Sequence, residues 1–559
     1  MSKVLSLFLL ALFIAGSLIG ITPAMAANSA ANGAEDRASG NLVSVEWLEK
    51  NLQRGDIILI DASPGQMHAA KHIPGAVNVD VFSFGGRENS SADMERLFQS
   101  WGVSKHKKIV IYDQGGTYFA TSLFFDLYYH GFPVKDLYIV DGGLAKWQSI
   151  RGAVTKDPTP APGKGNFRVA KLKEDVRVRL PEFLVASGNP ANNALVEALD
   201  PDQHFGAAKF FDRAGHIPNA IMTPSADYFN ADKTFKSAGE ITRMLTYLGV
   251  KPEQQIYTHC GGGIAASVPF FAAKVLLNYP KVKLYKESQL EWLRDDRGLP
   301  FWTYDAPNMM REKNWLIGWG NPMLRNFGVS KINVVDVRSV EAYNLGHIPY
   351  AVNIPADVLK RHVATPSKLT EVLSAAGVNA AFETVIVSDG GLNANSALAF
   401  LMLENLGQKK VSILMDSVDD WGLSGATFTL TKEATIVGAR KSPKDMAVPA
   451  TTFPANVRAD VVINPPLVGN GPYPKIYIAS GKNVPANPPD GKILHVPYSE
   501  LVNPDGKLKP AKDIWSILVK AGVPRYAEII CVADEPGEAA ANYFVLKSMG
   551  YPDVKVLAT

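Results

Sequence analysis

A segment written four times is the strongest constraint on how this chain folds. Gly102-Val103 leads into Ile109-Val110-Ile111-Tyr112-Asp113, and Gly249-Val250 into Ile256-Tyr257-Thr258-His259-Cys260. Gly377-Val378 precedes Val385-Ile386-Val387-Ser388-Asp389, and Gly522-Val523 precedes Ile529-Ile530-Cys531-Val532-Ala533-Asp534. From the glycine to the last residue named, the spans are 11, 11, 12 and 12 positions, a regularity that marks an internal repeat. Two further marks flank three of the runs. His72-Ile73-Pro74, His216-Ile217-Pro218 and His347-Ile348-Pro349 precede the run ends by 41, 44 and 42 residues. Trp147, Trp292 and Trp421 follow them by 34, 32 and 32 residues.

Within each unit the apolar run ends in a turn, passes into a helix-like stretch such as Ala265 to Leu277, and continues into another short strand such as Val282-Lys283-Leu284-Tyr285. Strand, helix and strand in alternation predict an α/β fold, because parallel strands need crossover helices. The expected architecture is four tandem domains, each a mainly parallel sheet flanked by helices. The boundaries read as 42–155, 165–312, 313–432 and 445–559. Joints fall at Lys156–Pro162 and Lys441–Lys444, where Pro and Lys concentrate, and near Ala306–Lys313. A length of 559 residues agrees, since one core rarely serves so long a chain. Ligands of such sheets bind beyond the carboxyl ends of the strands, so the turn after each run is where chemistry is expected.

Composition narrows the function. The 57 Lys+Arg against 54 Asp+Glu leave no bulk field that would favour nucleic acid or anionic lipid. Two cysteines, Cys260 and Cys531, exclude a disulfide-dense scaffold and a multi-cysteine metal site. Residues 1–26 carry Lys3, an apolar run from Val4 to Ile21 and a small-x-small ending, Ala24-Met25-Ala26. This reads as a secretory signal peptide cleaved after Ala26, with an uncleaved anchor as the alternative. The mature protein is then expected to be periplasmic or secreted, with no stable membrane insertion.

Together the marks resemble the rhodanese (sulfurtransferase) superfamily. The residues that carry the resemblance are Gly215–Ala220 and Gly346–Ala351, the strand followed by a cysteine loop, Asp141-Gly142-Gly143 with Trp147, and Asp336-Val337-Arg338 with Glu341 and Tyr343. The likeness spans about 42–559 and is weakest in the fourth unit, which lacks the His-Ile-Pro mark. Units one and two match the two-domain thiosulfate or 3-mercaptopyruvate sulfurtransferases. What the resemblance implies is a transferase in which a strand-end cysteine takes sulfane sulfur as a persulfide and passes it to a thiophilic acceptor. Cys260 is the residue in that position, with Asp113, Asp389 and Asp534 expected there in the other units.

The loop Cys260-Gly261-Gly262-Gly263-Ile264-Ala265 suits the task. Three glycines let successive amides turn onto the sulfur, and a helix starting near Ile264 adds its positive end. Both effects are expected to lower the thiol pKa. Gly261, Gly262, Gly263, Ile264 and Ala265 are therefore the expected substrate-binding residues. No cation lies inside the loop, unlike thiosulfate-type enzymes, and the loop is closer to the Cys-Gly-x-Gly form of the mercaptopyruvate type. Unit two reads Glu197-Ala198-Leu199 where the family has Asp-x-Arg, so Arg213 is the expected replacement cation, with His259 a second candidate. A Cys-x5-Arg phosphatase loop is excluded by Ala266.

His72, His216 and His347 belong to different units and read as fixing a turn, so neither metal nor cofactor is expected. Cys531 reads as a core residue, a disulfide with Cys260 being the alternative. The expected partners are a small sulfur-containing donor, such as thiosulfate or 3-mercaptopyruvate, a thiol or cyanide acceptor, and an exported redox protein. Selenium could take the place of sulfur. The competing reading is a noncatalytic repeat scaffold, or a sulfur or selenium carrier accessory to an exported redox system.

Overall fold

Short β-branched runs flanked by turns fold here as central strands covered on both faces. Within Lys108–Tyr112, for example, Ile109, Val110, Ile111 and Tyr112 are all buried. The computed structural model describes residues 40–84, 89–209, 211–348, 350–423, 449–464 and 471–558. The expected signal segment 1–26, the joint at Lys441–Lys444 and the boundaries at 432 and 445 lie outside the described residues. No helix among the described residues is long and apolar enough to cross a membrane.

Each repeat forms one five-stranded parallel sheet. In the first domain the spatial order is Leu42–Val43, Leu137–Val140, Lys108–Tyr112, Ile57–Asp61 and Val77–Asn78. In the second it is Arg177–Val178, Val282–Tyr285, Gln255–His259, Asn193–Glu197 and Ala220–Met222. The third runs Met310–Arg311, Val411–Leu414, Glu383–Val387, Ile332–Asp336 and Val352–Asn353. The fourth runs Val462–Ile463, Val554–Leu557, Glu528–Val532, Lys475–Ala479 and Ile493–His495. In chain order every sheet is thus 1-5-4-2-3, and the four repeated runs are the central strands. The expected α/β architecture of four tandem parallel-sheet domains is what the chain adopts. Met310–Arg311, placed by sequence in the second unit, opens the third sheet.

The His-Ile-Pro histidines fix turns as expected. His72, His216 and His347 each bond through Nδ1 to a backbone carbonyl, of His68, His204 and Tyr343, at 2.9, 2.8 and 2.8 Å. Each ring also stacks on the side chain of that same residue.

The domains pair. The helix Phe119–Tyr129 of the first packs on Ser267–Phe270 of the second through Phe125 on Phe270, ring centroids 5.0 Å apart, and Phe124 on Phe271 at 4.9 Å. Asp126 and Lys286 join across the same boundary at 2.6 Å, both almost fully covered. The third and fourth domains repeat this with Ala394–Asn405 on Pro536–Ser548, where Phe400 meets Phe544 edge-on at 4.9 Å.

A second device also recurs in each pair. In the second domain a tight hairpin closes with Phe229 bridged to Phe235, and in the fourth with Val502 bridged to Leu508. The first hairpin lies over the strand-end loop of the first domain, its Lys233 side chain against Gly115 and Gly116, and is tied to the neighbouring turn and helix by the Phe235 amide donating to Asp141 at 2.8 Å and Lys146 pairing with Asp232 at 2.6 Å. The other lies over the strand-end loop of the third, where the Leu392 amide donates to the Gly506 carbonyl at 2.8 Å.

Candidate active site

Cys260 follows directly on the central strand Gln255–His259 of the second domain. Its sulfur accepts the Gly263 amide at 3.2 Å, and the amides of Ala266, Gly262 and Ala265 also favour its anion. Gly263 makes this closure possible. Its φ is +78°, a left-handed value that side chains resist, and a Cβ there would be driven into the Lys286 carbonyl. Gly262, by contrast, has no atom within 4 Å of where a Cβ would stand. The helix begins at Ser267, not near Ile264 as expected. It lasts four residues before widening into a π-helix over Phe271–Leu276, so the amides, rather than a long helix dipole, supply the positive potential.

The sulfur sits just beneath the surface. Cys260 is 2% exposed, while Gly261, Gly262, Ile264 and Ala265 above it are half-buried. Leu199 and Phe211 flank Gly261. Burial pushes the thiol pKa up, and the amides of Ala266, Gly262, Gly263 and Ala265 pull against it without cancelling it. The expected lowering of the pKa is therefore reversed: covering the anion costs more than four neutral donors return.

Residues that sequence reasoning did not single out hold the loop. The Cys260 amide donates to Ser288 Oγ at 3.1 Å, and the Gln289 and Leu290 amides donate to the Cys260 and Gly261 carbonyls at 3.1 and 2.8 Å. Ser288 holds φ at +51°, where the first domain has Gly143 at +53° in the equivalent turn. A serine takes a glycine's conformation there while supplying an oxygen to the nucleophile's backbone. From the first domain, the Tyr118 carbonyl and Thr121 hydroxyl meet Ser267 Oγ at 3.4 and 2.8 Å. The Tyr118 phenol is shifted upward by burial and then by the charge of Cys260.

The expected replacement cations stand elsewhere. The Arg213 guanidinium donates to the carbonyls of Trp292 and Arg294 at 2.6 and 3.2 Å, and to those of Leu293 and Leu299. It caps the end of the helix Ser288–Trp292, and the substrate role expected for it is corrected to a structural one. His259 is fully buried against Phe183, and burial holds its imidazole down at about 4, so it is neutral at pH 7. Glu197 does replace the family's Asp: it pairs in register with His259, as Asp61 does with Tyr112 and Asp336 with Val387. Its carboxylate binds His204 and, at 2.7 Å, Gln289.

The same register corrects the equivalent positions. The residue after the central strand is Asp113 in the first domain, Cys260 in the second, Ser388 in the third and Ala533 in the fourth, not Asp389 and Asp534. Counted to these residues the span from the glycine is 11 positions in all four repeats, and the 12 reached in the last two came from extending the run one residue too far, to an aspartate. Asp113 occupies a cradle like that of Cys260, accepting the Gly115 and Ala120 amides at 2.8 and 3.0 Å. Cys531 is a buried core thiol within Glu528–Val532, and both cysteines are free.

Comparison with known proteins agrees with this frame. A model of the rhodanese-like domain matches residues 44–150, 184–295 and 323–424. A sulfur carrier protein, TtuD, of Thermus thermophilus is 29% identical over 272 residues, covering 45% of this chain and 93% of that protein. A thiosulfate sulfurtransferase of Pseudomonas aeruginosa is 28% identical over 252 residues, covering 44% and 91%. The crystal structure of SseA from Escherichia coli, titled for the rhodanese fold and mechanism of 3-mercaptopyruvate sulfotransferases, aligns at 25% identity and a TM-score of 0.40, over 44% of this chain and 98% of that one. With three matched domains filling more than half of its length, and a fourth sheet of the same strand order, the chain belongs to the rhodanese-like domain family.

Proposed function

We propose that this chain is a sulfurtransferase that works through a persulfide on Cys260. The observation that carries the reading is the turn of backbone amides from Gly262 to Ala266 onto the one cysteine sulfur at a strand end. In the first domain a like cradle holds the Asp113 carboxyl, whose oxygens accept the Gly115 and Ala120 amides while burial pushes its pKa up. The relatives named for sulfur transfer or carriage support the reaction class.

The chemistry balances without a cofactor. The Cys260 thiolate attacks the outer sulfur of thiosulfate, the S–S bond breaks, and sulfite leaves with the electron pair. With 3-mercaptopyruvate the C–S bond breaks and pyruvate leaves after taking up a proton. The persulfide then gives its terminal sulfur to cyanide or a thiolate, which restores the thiolate. The amides that oppose burial at Cys260 are the donors available to a persulfide anion there. Because Lys286 is held by Asp126 and Arg213 by carbonyls, the mercaptopyruvate-type donor, with its lower charge, is favoured over thiosulfate.

A covered thiol with a raised pKa favours a second reading, a sulfur or selenium carrier loaded by a partner protein. Mass spectrometry after incubation with each donor separates the two. The enzyme reading requires a gain of one sulfur on Cys260 and turnover that Cys260→Ser abolishes, and turnover that survives in that variant rejects it. The export reading places this reaction outside the cytoplasm. Its test is the N-terminal sequence of the mature protein, expected to begin at Ala27.

A further inference from the structure

Among the three domains that carry the tryptophan mark, only the second has a polar side chain three residues before it. Gln289 precedes Trp292, where the first domain has Leu144 before Trp147 and the third Val418 before Trp421. The first two positions are also equivalent in structure. The Leu144 amide donates to the Asp113 carbonyl at 2.8 Å, as the Gln289 amide does to that of Cys260 at 3.1 Å. All three side chains are buried. Two of them pack as hydrocarbon, whereas in the domain that holds the nucleophile an amide is taken out of water, which costs free energy unless its hydrogen bonds are replaced.

A carboxylate replaces them. Gln289 Nε2 donates to Glu197 Oε1 at 2.7 Å and reaches the Gly215 carbonyl at 3.4 Å, two acceptors that fix which way the amide faces. Glu197 is one methylene longer than Asp61 and Asp336 at the same register position, and each aspartate is paired with a residue close in sequence, His68 or Arg338. The added length lets one carboxylate serve two groups, Oε1 taking Gln289 and Oε2 taking His204. His204 in turn faces a second acid, with Asp305 Oδ1 at 3.0 Å from its Nε2. A ring with a carboxylate on each nitrogen needs a hydrogen on both, so His204 is an imidazolium. Burial opposes that charge, but Asp305 and Glu197 outweigh it and lift the pKa to about 9. Burial likewise pushes Glu197 up, and His204 brings it down to about 2. The other rings at this cluster, His216 and His259, are held at about 4 by burial and are neutral at pH 7. The fourth domain presses on Asp305, Gly550 leaving no room for a Cβ beside its carboxylate.

Resting on the persulfide reading of Cys260, we propose that Glu197 and Gln289 are positioning residues for sulfur transfer, with the His204 imidazolium and Asp305 fixing the Glu197 carboxylate from behind. The chain of bonds runs unbroken from Asp305 to His204, Glu197 and Gln289. The Gln289 amide then holds the Cys260 carbonyl, and the next amide, of Leu290, holds that of Gly261 at 2.8 Å. An anchor built on charge-assisted bonds is stronger than a neutral one, and it fixes the turn against which the amides of Gly262 to Ala266 close on the sulfur. The sulfur has to meet both donor and acceptor, and a displacement of about 1 Å costs on the order of 100-fold in rate.

The test gives the second domain the residues that the first already uses, Asp61 and Leu144, through Glu197→Asp, Gln289→Leu and the two together. Persulfide formation with 3-mercaptopyruvate yields a limiting rate and a half-saturating concentration, and hydrogen exchange of the amides at 289 and 290 reads the loop anchor without any sulfur donor. Each single variant should lose roughly 10- to 100-fold in limiting rate with half-saturation unchanged. Its two anchor amides should exchange faster while those of the strand Glu528–Val532 do not. The double variant should be no slower than the slower single one, because both changes cut the same chain. Asp336→Asn, in the third domain, should match the parent in rate and exchange. A parent rate or parent exchange in either folded single variant, a change confined to half-saturation, or losses that multiply in the double variant overturns the proposal. If Gln289→Leu fails to fold, Glu197→Asp decides, since the fold already accepts an aspartate there twice. A parent that gains no sulfur on Cys260 would end the persulfide reading instead, and the exchange data would still decide whether Glu197 and Gln289 hold the loop.

Discussion

Replacing Gly263 by alanine tests the sulfur cradle directly. At φ +78° an added Cβ costs about 1–2 kcal/mol in backbone strain, and it meets the Lys286 carbonyl, which cannot swing aside as a side-chain end could. The loop must shift, and the 3.2 Å amide bond to Cys260 Sγ is the contact that gives way. A hydrogen bond to a charged acceptor contributes about 1.5–3 kcal/mol, and one pKa unit corresponds to about 1.36 kcal/mol. Losing it should raise the thiol pKa by roughly 1–2 units beyond its already elevated position and lower the thiolate fraction near neutrality roughly 10- to 100-fold. The assay is the pH dependence of iodoacetamide labelling at Cys260, with Cys531 silent in its buried strand. Gly262→Ala, where a Cβ meets nothing within 4 Å, is the matched control and should label like the parent. A folded Gly263→Ala protein whose labelling midpoint has not moved would refute the reasoning.

Ser288→Gly removes the hydroxyl that accepts the Cys260 amide but relieves a left-handed serine; thermal melting should change by no more than the equivalent of about 1 kcal/mol while the rate of sulfur uptake falls. Lys286→Met leaves Asp126 charged in the covered boundary between the first two domains, so denaturant titration should show a loss of about 3–5 kcal/mol, largely recovered by adding Asp126→Leu. Asp141 is held near pKa 6 by burial, against 3.8 as the ordinary value. A carboxyl raised in the fold favours the protonated state, so its stabilisation is lost as pH rises from about 4 to 6, amounting to roughly 2–3 kcal/mol. Asp141→Asn should remove that slope from urea-derived stabilities measured across the window, and an identical slope in the variant counts against it.

Much of this fold was legible because its signals are local. The four apolar runs are central strands, since a buried parallel strand needs only a few consecutive β-branched residues and a turn at each end. Cys260 was visible for the same reason, its loop being contiguous in the chain. What escaped depends on residues that meet only after folding. Arg213 looked like a free cation because nothing near it in sequence shows that four carbonyls some 80 residues later claim its guanidinium. The raised thiol pKa follows from how deeply the loop is covered, and the glycine pattern encodes the donors but not the depth. Asp389 and Asp534 were misplaced because an aspartate stands one residue past the equivalent position in both repeats and drew the alignment to it, although the constant spacing of 11 from the glycine pointed to Ser388 and Ala533. Ser288 escaped because only the fold brings it from 28 positions down the chain to the amide of the nucleophile.

The hairpins closed by Phe229 with Phe235 and by Val502 with Leu508 set how many mouths this molecule can offer. Each odd-numbered domain has its strand-end loop stoppered by the partner that follows it, so any nucleophile arising there would be corked from the moment the chain folded. Doubling such a couple therefore adds a single vacant lip rather than two. Selection on the stoppered members is left to act on fit alone, which is consistent with a carboxylate in one of those seats and a hydroxyl in the other.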